Sequence, residues 1–474
     1  MTEILLWAGY FAVFAFLVHK GRSKDAVLSG SVGFGVQAFA YVATYISAVA
    51  LVGFGGLAHA YGLQMLLVAA GNVWFGTWAV YRFLAWPTRK WQERLGARTP
   101  AQLLGLGHGS PSLTRAMAFV FALFLGVYGS AVIKGAALLL AEILPVPVWA
   151  LIWLVAIIVG LTVFIGGLRG VLYTEAMQGV VMLVGMLMLV GAIFSKGGPW
   201  EGMQALAALP PSDLANNGFV SLSGGERGLF ILSLVVVTSI AVWAQPQMMQ
   251  RHFAIADPRQ LKKTTPLAMF ILTVLVGGAY FAAALSRLIL PEVASPDQVM
   301  PKLVQMLLPE FALHIFVLAI VSASLSTATG IYHIAVSALS EDLRGRPSNR
   351  LSWFTGIAIC VLVSGGCAQI KGQLVALLCT TSWSIVGAMA LVPYVALVRF
   401  GRRNAGAAWA SAACGFFSCL AWYLIAYGPT SIWGPQLGSV AAGIPPFFIG
   451  FLFSWIGWIA VSALSESPAL EQEA

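Results

Sequence analysis

The chain has 474 residues, 59% of them hydrophobic and only 9% charged, with a mean hydropathy of +0.87 and a formal charge of +9. A soluble domain carries roughly 25% charged residues, so this balance excludes a water-soluble enzyme. The basic residues sit in short loops between apolar runs, which also excludes a nucleic-acid-binding surface.

Apolar runs of about 20 residues, the length that crosses a bilayer, recur along the whole chain. They predict an all-α polytopic membrane protein with thirteen spans: 2–19, 32–60, 62–85, 114–142, 147–167, 172–194, 228–250, 266–290, 310–341, 351–369, 373–398, 405–427 and 440–464. In the first, the basic residues Lys20, Arg22 and Lys24 follow the apolar stretch, so it reads as an inserted span and not as a cleaved signal peptide. Alternate loops hold 20 of the 26 Lys and Arg residues. That bias places the N-terminus outside and the C-terminus in the cytoplasm of a cell-membrane protein. An odd number of spans requires the same.

The span at 32–60 carries five glycines (Gly33, Gly35, Gly53, Gly55 and Gly56) around the polar run Thr44-Tyr45-Ile46-Ser47. Its counterpart at 228–250 carries Thr238, Ser239, Trp243 and Gln245-Pro246-Gln247. Unwound backbone is tolerated at membrane depth only where it lines a cavity. Matching interruptions in two successive five-span blocks point to an inverted-repeat transporter with a midplane site. Glycine and proline are also simply common in membrane helices.

Between these blocks, 86–113 forms a basic loop and 195–227 a Gly/Pro/Asn-rich one, and 291–309 predicts a short helix at the membrane surface. None contains a catalytic cluster, a Walker motif or metal-ligand spacing. The five cysteines, Cys360, Cys367, Cys379, Cys414 and Cys419, read as helix-packing residues. Glu175 lies six residues past Arg169, about 9 Å inside its span. An intramembrane carboxylate normally faces a cavity or a cation, here sodium, a proton, or a structural arginine from Arg169 or another loop. Lys134 reads as a snorkelling lysine near the outer surface, and His333 as a packed helix residue.

The span at 310–341 carries Ser322, Ser324, Ser326, Thr327 and Thr329 within a hydrocarbon-length stretch. Positions 323, 326, 327 and 330 share one helical face. Its hydroxyls, with carbonyls from an unwound 43–47 segment, would supply the neutral oxygens a dehydrated small cation needs. The other reading is that small hydroxyl residues let membrane helices pack closely.

The motifs LSTATGIYHIAVSALSEDL at 325–343, GGLRGVLYTEAMQGVVMLVG at 166–185 and AQPQMMQRHFAIADPRQLKKT at 244–264 resemble the sodium:solute symporter family. The likeness runs over nearly the whole chain. It implies a LeuT-type 5+5 inverted repeat: 1–30 as an extra helix and basic loop, 31–195 as the first repeat, 196–227 as an external loop, 228–400 as the second repeat, 401–465 as two further helices and 466–474 as a tail. It also implies a sodium ion held by the carbonyls of Ala43, Ile46 and Ala323 and the hydroxyls of Ser326 and Thr327. A second sodium would use Glu175 with Thr329 and Ser326. Here the chain departs from the family, with Glu for the usual Asp and Gly330 for a hydroxyl residue.

In that fold the solute would contact Ser47, Val49 and Ala50, then Asn72, then Thr238, Val242 and Trp243, and finally Trp383. Tyr45 and Val242 replace the aspartate and tyrosine of proline symporters, and residues 49–52 are too apolar for a sugar. The segment PQMMQRHFAIADPRQLKK is most similar to monocarboxylate symporters, so the expected solute is a small organic acid, carried with Na+ by a monomeric unit in the bilayer. Proton coupling through Glu175, a solute sensor without a signalling domain, and a passive channel are the rivals.

Overall fold

The computed structural model describes residues 2–22, 32–141, 143–195, 198–223, 225, 228–370, 375–427 and 443–464. Residues 23–31 of the first basic loop, 428–442 and the 466–474 tail lie outside these.

In chain order the helices are α1 (Thr2–Lys20), α2 (Phe34–Tyr45), α3 (Val49–Phe83), α4 (Ala85–Leu95), α5 (Pro100–Gly107), α6 (Pro111–Leu140), α7 (Val148–Phe194), α8 (Gly198–Ala207), α9 (Gly228–Ala244), α10 (Pro246–His252), α11 (Pro258–Leu288), α12 (Val299–Leu307), α13 (Glu310–Asp342), α14 (Arg350–Ala368), α15 (Val375–Phe400), α16 (Ala405–Ile425) and α17 (Pro446–Leu464). Among the described residues ten helices are long and apolar enough to cross a membrane, or eleven if the bent pair α9–α10 counts as one. The expected thirteen separate spans differ for physical reasons. Chain expected as two spans is joined in α3 and in α7, but each run is kinked at a glycine, Gly62 (φ 73°, ψ −153°) in α3 and Gly167 in α7, and α2 is only 12 residues long. Within α7 the one interruption is Gly167, at φ 55°, a conformation that costs a side-chain-bearing residue strain. The basic 86–113 loop folds into α4 and α5, and 291–309 supplies α12, with Val299, Met300, Leu303 and Val304 buried.

α13 is the axis of the molecule. Every residue from Phe316 to Ser337 is buried, as expected of a helix apolar on all sides. It packs on α7 and α6, while α2 lies across α7 and α11. α1, α16 and α17 are mostly exposed at the periphery, where apolar surface suits lipid. The two regions that break helical continuity, α2–α3 and α9–α10, therefore meet around a buried helix rich in hydroxyls.

Candidate functional site

Helix α2 stops at Ile46, whose backbone is extended (φ −101°, ψ 122°). The chain resumes helical turns at Val49, whose N–H donates to Ser47 Oγ at 3.1 Å. Carbonyls at a helix end have lost their partners four residues on. Those of Ala43, Thr44 and Ile46 turn to α13 instead. Ser326 Oγ lies 2.7 Å from Ala43 O and 3.0 Å from Ala323 O. Thr327 Oγ1 lies 3.2 Å from Ala43 O, 3.3 Å from Thr44 O and 3.3 Å from Ile46 O.

Each hydroxyl has one proton to give, so several oxygen lone pairs in this cluster stay unengaged. All of these groups are buried and uncharged. The five residues named for sodium are thus brought together, with α13 helical through Ala323 and not loosened there. Such a set suits a hard monovalent cation, which would replace the hydroxyl protons as the partner of the carbonyls.

Glu175 meets a structural arginine, one of its expected alternatives, though not Arg169. Its Oε1 is paired with Nη2 of Arg251, and the two side chains are 0% and 1% exposed. Arg251 Nε also donates to Thr44 Oγ1 at 3.0 Å. Arg169, the partner named from sequence, instead reaches Tyr173 Oη at 3.4 Å. Thr329 bonds within its own helix, to Leu325 O at 2.8 Å and Ser326 O at 3.0 Å. Gly330 is where the guanidinium comes closest to α13. A Cβ there would stand 2.6 Å from Arg251 Nη2 and 3.2 Å from Glu175 Oε1. Arg251 reaches this depth because the chain bends by 53° at Gln245, and Pro246 starts α10 in a new direction.

Beside the break lies a small cavity lined by Tyr45, Ile46, Ser47, Val49, Ala50, Phe54, Asn72, Tyr128, Thr238, Tyr280, Cys379 and Trp383. It holds about 20 Å³, room for one water. Six of the eight solute-contact candidates fall in its wall. Val242 is buried elsewhere, and the indole N–H of Trp243 bonds Phe75 O at 3.0 Å. Across the cavity the two broken helices are tied directly: Tyr45 Oη donates to Thr238 O at 2.5 Å, and Thr238 Oγ1 lies 2.8 Å from Asn72 Oδ1. The indole of Trp383 stacks near Tyr45 and meets Tyr128 edge-on, and among the described residues its N–H has no acceptor.

Phe54, Tyr128, Tyr280 and Cys379 are wall residues that sequence reasoning missed. They lie on four different stretches of chain, and nothing in their local sequence marks them. Of the other residues singled out, Lys134 Nζ donates to Ile370 O at 3.2 Å, consistent with snorkelling. His333 packs edge-on against Trp353, with Nδ1 3.3 Å from Gln250 Oε1.

Comparison with known proteins places this geometry. The sodium:solute symporter family matches residues 27–415. A sodium/pantothenate symporter of Haemophilus influenzae is 27% identical over 69% of this chain and 69% of its own length. The high-affinity proline transporter PutP of Bacillus subtilis is 24% identical over 98% of this chain and 97% of its own. Among solved structures, a substrate-bound, outward-open Na+-coupled sialic acid symporter superposes with a TM-score of 0.77 at 15% identity, covering 98% of both chains.

Proposed function

The chain belongs to the sodium:solute symporter family, and on that premise we propose that it carries a small organic acid, in the monocarboxylate size class, together with Na+. It is a multi-pass membrane transporter and not an enzyme. Sodium-coupled secondary transport of a small organic solute is the activity of this class, and the proposal is its site and its solute.

The reading assigns the ion to the carbonyls of Ala43, Ile46 and Ala323 and the hydroxyls of Ser326 and Thr327. The solute is assigned to Ser47, Val49, Ala50, Asn72, Thr238 and Trp383. The observation that carries it is Ile46, which belongs to both groups: its carbonyl faces Thr327 while the residue lines the cavity. An ion bound there lies one residue from the solute. Among the described residues no cationic side chain lines the cavity, so the ion itself would supply the charge that attracts a carboxylate. The unpaired Trp383 N–H and the Ser47 hydroxyl are further donors. Pantothenate and proline, the solutes named for two relatives, are both carboxylates. At about 20 Å³ the cavity is too small for such a solute, so loading and release require its walls to part.

We read 31–195 and 228–400 as two inverted five-helix repeats, preceded by one helix and followed by two, thirteen segments in all, with the N-terminus outside. What supports this is that each repeat opens on a broken helix, α2–α3 and α9–α10. Alternating access would then be rocking of one helix bundle against the other. One Na+ carried with one carboxylate moves no net charge, so in this reading the sodium concentration gradient, and not the membrane potential, drives uptake. The monomer is the transporting unit in this reading.

At Glu175 and Thr329 the reading is that no second sodium binds. Arg251 already pairs with the carboxylate. A second cation would add an uncompensated charge in a buried place, costing several kcal/mol. The same pairing argues against Glu175 as a free proton carrier. The test is thermal stability of the purified protein in sodium and in choline, with a panel of monocarboxylates and amino acids, for wild type and S326A/T327A. Sodium-dependent stabilisation that the double variant loses, increased further by a small acid, is the expected result. A wild type indifferent to sodium overturns it.

A further inference from the structure

Three membrane-interface ends converge elsewhere on the molecule: the end of α3, the start of α11 and the end of α15. Between them is a cavity of about 710 Å³ lined by Trp78, Tyr81, Arg82, Phe83, Trp86, Pro87, Leu261, Lys262, Thr265 and Arg399. That size lies within the roughly 300–1,000 Å³ of ordinary ligand sites. It shares no residue with the ion cluster or the solute cavity.

We infer that this cavity binds the phosphate headgroup of an anionic glycerophospholipid. Its charge is the first observation. Arg82, Lys262 and Arg399 bring three positive charges to one cavity with, among the described residues, no acidic residue in the wall. Among the described residues none of the three has a carboxylate partner. The chain pairs other arginines internally: Arg89 with Glu93, Arg98 with Glu341, Arg251 with Glu175. Three cations left bare around one cavity call for an anion from outside the protein.

The rim identifies which anion. Trp78 is 41% exposed and Phe83 38%, and Trp86 completes an aromatic edge beside the cations. A free phosphate has no use for such a rim. A lipid does, because its phosphate lies at the cations while its acyl chains run along the aromatic face at the bilayer boundary. The Arg82 guanidinium, 5.6 Å from the Phe83 ring centroid, sits at the junction of the two surfaces. With basic loops on the cytoplasmic side, the lipid belongs to the inner leaflet, where basic pockets between spans hold anionic headgroups.

The experiment measures lipid binding to the purified full-length protein by native mass spectrometry, together with thermal shift. The probes are phosphatidylglycerol, phosphatidylcholine and inorganic phosphate. Wild type is expected to retain phosphatidylglycerol over phosphatidylcholine and to ignore inorganic phosphate. The R82Q/K262Q/R399Q variant should bind phosphatidylglycerol roughly a hundredfold more weakly, each lost charge contributing about fivefold. Its stabilisation by sodium should persist, which reports that the variant is folded. Equal retention of the two lipids, or wild-type affinity in the triple variant, overturns the inference. Stabilisation by inorganic phosphate equal to that by lipid overturns it too, in favour of a soluble anion. Should the triple variant fail to fold, the single variants R82Q and R399Q carry the same test at about fivefold each.

Discussion

Helix α13 does two different things along its length. At its middle, Ser326 and Thr327 meet the carbonyls of a broken helix through neutral, partly unsatisfied oxygens. At its end, Glu341 and Asp342 are held by a closed set of partners. Arg98 reaches both oxygens of Glu341 at 3.1 and 3.3 Å, and Ser348 Oγ donates to it at 2.9 Å. Thr99 Oγ1 and Gln102 Nε2 each donate to Asp342 at 2.8 Å. The first region keeps spare lone pairs that an ion can take. The second spends charge on fastening α13 to the loop before α5. Exchangeable contacts are neutral and permanent ones are charged, which is the arrangement a carrier needs if one end of a helix must stay fixed while its middle binds and releases.

The Glu175–Arg251 pair is the exception, a charge placed in the exchanging region, and it gives the largest expected effect. R251M leaves Glu175 buried without a counter-ion and should cost about 3–5 kcal/mol of stability. The E175Q/R251M double variant should recover most of that loss, because removing both charges of a buried pair is often close to neutral. Unfolding curves for the wild type and both variants measure it. A double variant as unstable as R251M would mean that the arginine works through packing and not through charge.

Next in size is sodium itself. At a concentration one hundred times its dissociation constant, one bound ion stabilises the folded state by about 2.7 kcal/mol. T327A should forfeit most of this gain, since Thr327 faces three carbonyls. S326A should forfeit less. Equal losses would shift the weight of the site toward Ala323 and Ala43. At the fixed end, E341Q should cost about 1 kcal/mol, discounted because Arg98 is 30% exposed, and leave sodium affinity unchanged. A changed affinity would show that the fastening and the exchange are coupled.

How much of this was legible in the sequence follows the same division. The meeting of the α2 break with the α13 hydroxyls was, because its signals are local: a glycine-flanked polar run, and Ser326 and Thr327 three and four residues past Ala323 on one helical face. The Arg98 and Arg251 pairings were not, because each partner lies far along the chain. Arg251 read as one more basic residue at a span end. Its actual signal is Pro246, which restarts the helix and turns Gln250, Arg251 and His252 inward, all at most 1% exposed. The kinks of α3 and α7 were legible too: the expected span limits at 60–62 and 167–172 fall on Gly62 and Gly167, the glycines with positive φ inside these runs.

A further expected effect lies on the fixed side and is a matter of pH. His108, at the end of α5, has Nε2 3.0 Å from Pro393 O, and Nδ1 accepts from the Asn404 N–H at 3.3 Å. That fixes a neutral ring with its proton on Nε2. Burial pushes its pKa down to about 4, and Arg403 pushes the same way, against the pull of the Pro393 carbonyl. The unfolded chain, near 6.5, takes up the proton first. Its contribution to stability is therefore complete above pH 6.5 and is lost as pH falls toward 4. H108Q should flatten this part of the stability profile, measured by thermal unfolding between pH 4 and 7. If sodium affinity stays constant over that range, the titration is confined to the fastening. If affinity falls with stability, α5 and the middle of α13 move as one body, and the two ends of the comparison collapse into a single unit.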